Sequence, residues 1–382
     1  MLDQTGRQTP SRRPLPAHEG SAAQRFLTGL ATPGGAVFVL VLVLLLAVVA
    51  SNPTFGEPDR LVRFLARSTP IALIAIGQYF VIVSGEFDLS MGSVIAAQVV
   101  MAGNLIGQDD SRILPVMALM VVIGALVGIV NGLATTLLGV PSFIVTLGTM
   151  LALSGLVFYL TGGAATGNPT DTFREIGRGG LEGVPGIELL PYPLLILVAV
   201  SVAAWWLMRR PYGVTLVATG DNPSAAEVSG ARVWWVKTRA FVLSSLSATL
   251  AGIILVGQAG VHPSVGRGYE FIAITAVVLG GVVLGGGRGW VLSAAAGAIA
   301  LDLLFTLLNF RDIPATWRDT VQGVIIILAV ALAGRAWRGG LRLPTGRRRT
   351  PTPSRAPDAD DPTPAAHPTH RPPGHHQGEM RP

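Results

Sequence analysis

The chain has 382 residues, of which 50% are hydrophobic and only 13% are charged, and its formal net charge is +6. A typical soluble protein is about one-quarter charged, so this composition leaves too little polar surface to cover a soluble body of this size. The sequence also contains no cysteine, which excludes a secreted domain framed by disulfides.

The chain begins with a polar segment that carries four arginines before the first apolar run. We interpret residues 1–30 as a cytoplasmic N-terminal tail. The run Ala36–Ser51 is almost purely Val, Leu and Ala, and with its flanks it reaches the roughly 20 residues that a membrane span needs. No small-residue cleavage site follows in a convincing context, so we expect a retained span and not a cleaved signal peptide.

Further apolar runs continue along the chain and predict an all-α polytopic membrane protein of about ten spans, with residues 31–334 as its transmembrane domain. Several runs are apolar on every face, which excludes the core helices of a soluble protein. Two runs, Pro70–Ser84 and Tyr269–Leu284, are short for a full span. Short segments of this kind can be broken helices that line a cavity. The other eight are Ala36–Ser51, Leu89–Ile106, Ile113–Leu138, Pro141–Thr161, Pro191–Met208, Thr238–Gly257, Trp290–Leu308 and Thr320–Gly334.

Basic residues predict the orientation of these spans. An even number of spans puts both termini on one side, which then carries 19 basic residues against 9 on the other. The positive-inside rule makes that side cytoplasmic. This distribution accounts for the sequence pI of about 10.4, so no nucleic-acid partner is expected.

The last segment, residues 335–382, is rich in proline and arginine and is predicted to be a disordered cytoplasmic tail. Its histidines are open to a metal-binding interpretation, but a low-complexity solvated tail is the favoured one. The histidines concerned are His367, His370, His375 and His376.

No motif in the chain supports catalysis. A nucleotide-binding loop needs a lysine after a glycine-rich stretch, and the single lysine, Lys237, has no such context. Between the polar ends the only histidine is His262, so neither a zinc site nor a Ser/His/Asp arrangement is expected. We therefore predict no enzymatic activity, no metal and no cofactor. A transport path through the membrane is the function that the chain can accommodate.

Three stretches stand out among the apolar runs. In Gly85–Gly92, Asp88 or Ser90 is a candidate N-cap of the next helix, or the stretch is a break in the membrane that exposes Asp88 to a cavity; the two interpretations are compatible. In Ala218–Ala231, Asn222, Pro223 and Gly230 predict a capped helix of two turns. Such a helix is too short to be stable alone, so it is either an ordinary connector or a helix that docks into a partner protein. The glycines of Gly280–Gly289 indicate close backbone packing or a tight turn.

Together these stretches resemble the membrane permeases of bacterial ribose/xylose/galactose-type ABC importers. The similarity runs from about Pro70 to Leu332 and includes GEFDLSMGS at 85–93, Asn131-Gly132 with Leu138–Thr149, ATGDNPSAAEVSGA at 218–231 and GGVVLGGGRG at 280–289. The resemblance implies a plasma-membrane protein with a second permease copy or homologue, cytoplasmic ATPase subunits and an extracytoplasmic sugar-binding protein. It also implies that Gly85–Gly92 borders the translocation region. The coupling helix that docks on the ATPase is then expected to use Gly220, Asn222, Pro223, Ala225, Ala226, Glu227, Ser229 and Gly230.

Three positions depart from the family pattern. Val282-Val283 replaces a Thr-Ser pair, the last external loop starts at Asn309-Phe310, and Asp302 stands where an aliphatic residue is expected. We expect Asp302 to face the interior, preferably as a structural or neutral group, alternatively as a partner of a sugar hydroxyl. Sugar sites combine amide, hydroxyl and carboxylate groups with an apolar wall. The candidate substrate-pathway residues are Asp88, Ser90, Asn131, Thr149, Asn309 and Asp302.

Two other functions stay open at this point. An ABC permease for a solute other than a sugar fits the same motifs. A secondary transporter driven by an ion gradient would use Asp88, Glu270 and Asp302 as proton or sodium sites, but it leaves the short capped helix unexplained.

Overall fold

In a computed structural model the chain is almost entirely helical. The structure describes residues 33–314 and 316–340, and only the backbone of residues 33, 329, 330 and 332–340. Residues 335–340 continue the last helix, while the predicted N-terminal tail and the rest of the C-terminal tail, with its four histidines, lie outside the described residues.

The described residues form thirteen α-helices. In chain order they are α1 Pro33–Ser51, α2 Pro58–Val83, α3 Met91–Ile106, α4 Ile113–Leu137, α5 Ser142–Thr161, α6 Asp171–Arg178, α7 Tyr192–Met208, α8 Pro211–Asp221, α9 Pro223–Val228, α10 Val233–Ala259, α11 Tyr269–Leu279, α12 Val291–Phe310 and α13 Trp317–Gly340, with short 3-10 turns at Pro53–Gly56 and Asp110–Arg112.

Each of the ten predicted runs contains a helix, so the all-α polytopic membrane fold is confirmed, but the count of ten spans is not. Within the described residues six helices are long and apolar enough to cross a membrane, or seven if α7 and α8 are one span bent by 73°. At 16 and 11 residues, α3 and α11 are too short to cross alone. α11 ends at the glycine-rich stretch, as its sequence indicates.

The prediction of a short helix at Pro70–Ser84 is wrong, because the helix begins at Pro58 and continues through Pro70. A proline inside a helix removes the hydrogen bond to the carbonyl four residues earlier. Here that carbonyl belongs to Ala66, and it accepts a hydrogen bond from Nε2 of Gln258 at 2.9 Å. A side chain from α10 thus supplies the missing donor, which sequence-based reasoning does not reveal.

The core is formed by α2, α10 and α12 with the two short helices between them. Of the 18 most apolar consecutive residues in each helix, 89% are buried in α2, against 11% in α1 and in α5. α2 packs along α10, and α12 packs against α1, α2 and α11. α1 and α5 are therefore peripheral helices whose apolar surfaces face outward in the single chain.

The segment between α5 and α7 is structured, although no pattern in the sequence predicts it. It forms α6, capped by the Thr170 hydroxyl, which accepts from the Phe173 N–H. An antiparallel hairpin of β1 Gly180–Glu182 and β2 Leu189–Pro191 follows, with Leu181 opposite Leu190. It lies beside the start of α2, where the Glu188 N–H donates to Oδ1 of Asp59 at 2.8 Å.

Candidate functional site

Asp88 is the centre of a buried hydrogen-bond network between α2 and α3. Its Oδ1 accepts from the backbone N–H and the hydroxyl of Ser90, at 2.9 and 2.6 Å, and its Oδ2 accepts from the Ser244 hydroxyl at 2.6 Å. All three residues are fully buried. A buried carboxylate needs such donors to offset its desolvation.

The network continues from Ser90 into two further helices. Nδ2 of Asn131 in α4 donates to the Ser90 hydroxyl at 2.9 Å, and the Thr149 hydroxyl in α5 donates to Oδ1 of Asn131 at 2.6 Å. The structure therefore brings together four of the six predicted pathway residues, Asp88, Ser90, Asn131 and Thr149, in one continuous chain. Ser244 of α10 is a fifth member that sequence reasoning missed.

The predicted roles of Asp88 and Ser90 as helix caps need correction. Ser90 occupies the cap position of α3, but its side chain does not cap the helix and donates to Asp88 instead. Nor is Asp88 exposed to a cavity here, because its exposed fraction is 0%.

The non-helical segment before α3 is held by hydroxyl groups of α5. The Phe87 N–H donates to the Ser142 hydroxyl at 3.1 Å, and the Leu89 N–H donates to the Thr146 hydroxyl at 3.0 Å. Irregular backbone at membrane depth requires such partners within the protein. Ser142, Thr146 and Thr149 recur at spacings of four and three residues, so this polar face of α5 is a sequence signal that was available and not used.

The three glycine-containing stretches meet at the end of α2. The Gly287 N–H donates to the Val83 carbonyl at 2.9 Å, and a Cβ on Gly220 would lie 1.8 Å from that same carbonyl oxygen. A Cβ on Gly286 would lie 2.9 Å from the Cα of Gly85. The prediction of close backbone packing in the glycine-rich stretch is thus confirmed, and it joins α8 to the Asp88 segment.

An ion pair links the Asp88 segment to α10. Nζ of Lys237 lies 2.5 Å from Oε1 of Glu86, with side chains only 14% and 16% exposed. The only lysine of the sequence is therefore a structural partner of a residue two positions from Asp88. The sequence offered no signal that joins two residues 151 positions apart.

The short helix α9 forms as predicted, directly after α8. Oδ1 of Asn222 accepts from the Ala225 N–H at 3.0 Å, Pro223 is the first helical residue, and Gly230 follows the helix with a φ of 88°. Ala226 is buried, Val228 is 91% exposed, and Glu227 is exposed. Gly220 is also buried, but it lies against the end of α2 and not on α9.

A cleft of about 490 Å³ lies beside α9 and includes most of the other predicted coupling residues. Its lining includes Asn222, Ala225, Ala226, Ser229 and Gly230, with Val214 and Ala218 from α8. A partner helix or loop therefore has both an exposed helix and an adjoining depression to occupy.

The two remaining pathway residues, Asp302 and Asn309, lie elsewhere, in a cavity of about 460 Å³. Oδ2 of Asp302 accepts from the Ser68 hydroxyl at 2.5 Å, and Ser68 lies fifteen residues before Val83 on α2, roughly 22 Å along the helix. The cavity is thus near the opposite end of the bundle from α9. Its other lining residues include Phe55, Arg67, Gln258, Tyr269, Phe305, Thr306, Phe310 and Arg318.

Comparisons with known proteins place the chain among transport permeases. Residues 60–330 match a family model described as "Branched-chain amino acid transport system / permease component". The chain is 32% identical over 299 residues to the ribose import permease protein RbsC of Haemophilus influenzae, covering 77% of this chain and 90% of that protein. It is 35% identical over 304 residues to RbsC of Bacillus subtilis, covering 77% and 91%.

A relative with a different printed substrate matches as well. The autoinducer 2 import system permease protein LsrC of Enterobacter sp. (strain 638) is 32% identical over 300 residues, which is 78% of this chain and 85% of that protein. No solved structure matches the chain.

Proposed function

The chain belongs to the family of permease components described as a branched-chain amino acid transport system, and we propose that it is the membrane-spanning permease of an ATP-driven ABC importer for a monosaccharide. The observation that carries this proposal is the meeting of three segments at one end of the bundle. The exposed, capped helix α9, the Asp88 segment and the glycine-rich stretch are joined through Gly220, Val83 and Gly287.

The proposed mechanism is alternating access driven by a separate cytoplasmic ATPase. When the ATPase subunits close around ATP, α9 moves as a rigid lever. Its displacement reaches the Asp88 segment by two routes: through α8, whose Gly220 contacts Val83, and through α10, whose Lys237 pairs with Glu86. Opening the contacts around Asp88 then exposes Ser90, Asn131 and Thr149 to the sugar.

In this proposal the Asp88 network is the closed inner barrier, and the cavity around Asp302 receives the substrate from the extracytoplasmic side. That cavity combines a carboxylate, an amide and hydroxyl groups with the aromatic rings of Phe55, Phe305 and Phe310. Polar groups set against an apolar wall are the usual chemistry of a small-molecule site. The sugar-binding protein would dock at this end and a second permease copy alongside, with both termini of the chain in the cytoplasm.

The choice of a monosaccharide follows from the ribose import permeases among the relatives. The autoinducer 2 import permease has a different printed substrate, so an ABC permease for a solute other than these monosaccharides is the second candidate. A secondary transporter is less well supported, because its three candidate acids lie apart: Asp88 is in the network, Asp302 is in the cavity, and Glu270 abuts Gly92.

The test is uptake of radiolabelled ribose, xylose and galactose into proteoliposomes that contain the chain, its ATPase and its binding protein. We expect uptake only with internal ATP and all three components. Uptake that persists without the ATPase and collapses with an ionophore would contradict the proposal and favour the secondary transporter. Glu227→Lys on α9 should uncouple ATP hydrolysis from uptake, whereas Gly155→Ala in α5, where a Cβ meets nothing within 4 Å, should leave both rates unchanged.

A further inference from the structure

An apolar cleft of about 430 Å³ lies between α4, the bend from α7 to α8, and α10. Val242 lies nine residues into α10, roughly 13 Å from its first residue, so the cleft reaches from the helix ends into the apolar depth of the membrane. The apolar or aromatic residues that line it are Ile129, Leu207, Tyr212, Trp235, Val242 and Leu243.

The mouth of this cleft carries positive charge. Arg239 lines the cleft, and its guanidinium carbon lies 4.7 Å from the ring centroid of Trp235. Arg209 and Arg210, between the lining residues Leu207 and Tyr212, stack in the same way on Trp205 and Trp206, at 3.9 and 4.2 Å. Within the described chain these three guanidinium groups form no salt bridge, so their charge is not neutralised internally.

Charge and shape together define the occupant. Tryptophan rings and arginines at a helix end are typical of the boundary between lipid tails and headgroups. Stacking on an aromatic ring leaves the edge of a guanidinium free to donate to phosphate oxygens. An apolar cleft that ends at such groups matches a lipid tail attached to an anionic headgroup.

We propose that this cleft binds an anionic phospholipid of the cytoplasmic leaflet, with one acyl chain along Ile129 and Val242 and the phosphate held by Arg239. The inference rests on the orientation given under the proposed function, which places this end of the bundle in the cytoplasmic leaflet. Zwitterionic lipids are expected to bind more weakly, because a basic residue near the surface attracts anionic lipid by about 1 kcal/mol.

The test is native mass spectrometry of the purified full chain, titrated in detergent with phosphatidylglycerol or with phosphatidylcholine of the same acyl chains. We expect Arg239→Gln to weaken binding of the first phosphatidylglycerol about fivefold, which corresponds to ~1 kcal/mol. Phosphatidylcholine should lose less affinity, because its choline cation offsets the charge of its phosphate. Arg239→Lys should retain most of the affinity. Ile129→Trp, which fills the apolar part of the cleft, should weaken both lipids.

The matched control is Arg232→Gln, which removes an exposed charge at the start of the same helix but does not line the cleft. Equal losses for Arg232→Gln and Arg239→Gln would mean general electrostatic attraction and would overturn the proposal. So would unchanged phosphatidylglycerol binding in Arg239→Gln or Ile129→Trp, or a change of oligomeric state in Ile129→Trp without a loss of lipid. The assay contains neither ATPase nor sugar, so its failure is independent of whether the chain transports.

Discussion

Two neighbouring serines of α10 are both buried, but only one of their hydroxyl groups makes a hydrogen bond. The Ser244 hydroxyl donates to Asp88, whereas the Ser245 hydroxyl is buried without a partner among the described residues. Leaving a buried acceptor without its donor costs about 2 kcal/mol. We therefore predict that Ser244→Ala lowers the free energy of unfolding by about that amount, measured by denaturant titration in detergent.

Ser245→Ala is the control, with the same loss of volume one position along. It should leave the free energy of unfolding unchanged or slightly raise it, because the hydroxyl it removes gains nothing from burial. Equal destabilisation by the two substitutions would contradict the role given to the Asp88 network.

The Glu86–Lys237 pair allows a charge-reversal test. Because both side chains are largely buried, losing one partner leaves an uncompensated charge, at a cost of about 3 kcal/mol. We predict that Glu86→Lys and Lys237→Glu each abolish ATP-driven uptake in proteoliposomes, and that the double variant recovers a substantial part of it.

The exposed pair Arg178–Asp171, with side chains 49% and 83% exposed, is the comparison. An exposed pair contributes between about 0 and 1 kcal/mol, so Asp171→Asn should transport normally. If the double reversal of Glu86 and Lys237 is as inactive as the single variants, the ion pair is not what these residues contribute.

Residue types at the site were partly predictable from the sequence. Scarce polar groups within apolar runs led to Asp88, Ser90, Asn131 and Thr149, which the structure joins in one network. The same reasoning placed Asp302 and Asn309 with them, although they lie in a separate cavity. Scarcity identifies a buried polar residue, but only the packing of helices distant in the sequence determines its partner.

At the scale of elements, the contact between α8 and the end of α2 depends on the absence of a side chain. A Cβ on Gly220 would lie 1.8 Å from the Val83 carbonyl oxygen and 2.6 Å from the Gly287 nitrogen. Both are backbone atoms that cannot move aside cheaply. We predict that Gly220→Ala lowers the free energy of unfolding by about 3 kcal/mol and uncouples ATP hydrolysis from uptake.

Gly155→Ala in α5 is the matched substitution, since a Cβ there meets nothing within 4 Å. Alanine is favoured over glycine in a helix by about 1 kcal/mol, so this variant should be at least as stable as the parent chain. A Gly220→Ala variant of normal stability and normal coupling would show that the contact with α2 does not transmit motion.

Element boundaries were predictable wherever local chemistry decides them. Asn222, Pro223 and Gly230 determine α9 in advance, because cap, first turn and stop all act within a few residues. The start of α2 was not predictable in this way, because Gln258 of α10 supplies the hydrogen-bond partner that lets the helix continue through Pro70. α6 and the hairpin strands were missed because, at eight and three residues, they are shorter than the windows over which apolar periodicity is recognised.

For the whole molecule, composition alone was enough to predict a membrane protein, because a scarcity of charge is a property of the entire chain. The long apolar runs then predicted that it is all-α. The number of spans was harder to obtain. Runs such as Leu89–Ile106 and Tyr269–Leu284 are as apolar as true spans, yet their helices cover only 16 and 11 residues. Whether an apolar run crosses the membrane depends on where its helix ends, and those ends are set by tertiary contacts.

The orientation of the bundle is open to a direct test, because the sequence has no cysteine and single substitutions therefore carry the only thiol. Val228 on α9 is 91% exposed, and Glu182 on the hairpin is exposed near the opposite end. In spheroplasts that express the chain without its ATPase, we predict that a membrane-impermeant maleimide labels the Glu182→Cys variant at once. The Val228→Cys variant should react only after the membrane is opened, while both react in detergent. Labelling of Val228→Cys in sealed spheroplasts would reverse the orientation. It would then move the cleft at Arg239 to the other leaflet and leave α9 out of reach of a cytoplasmic ATPase.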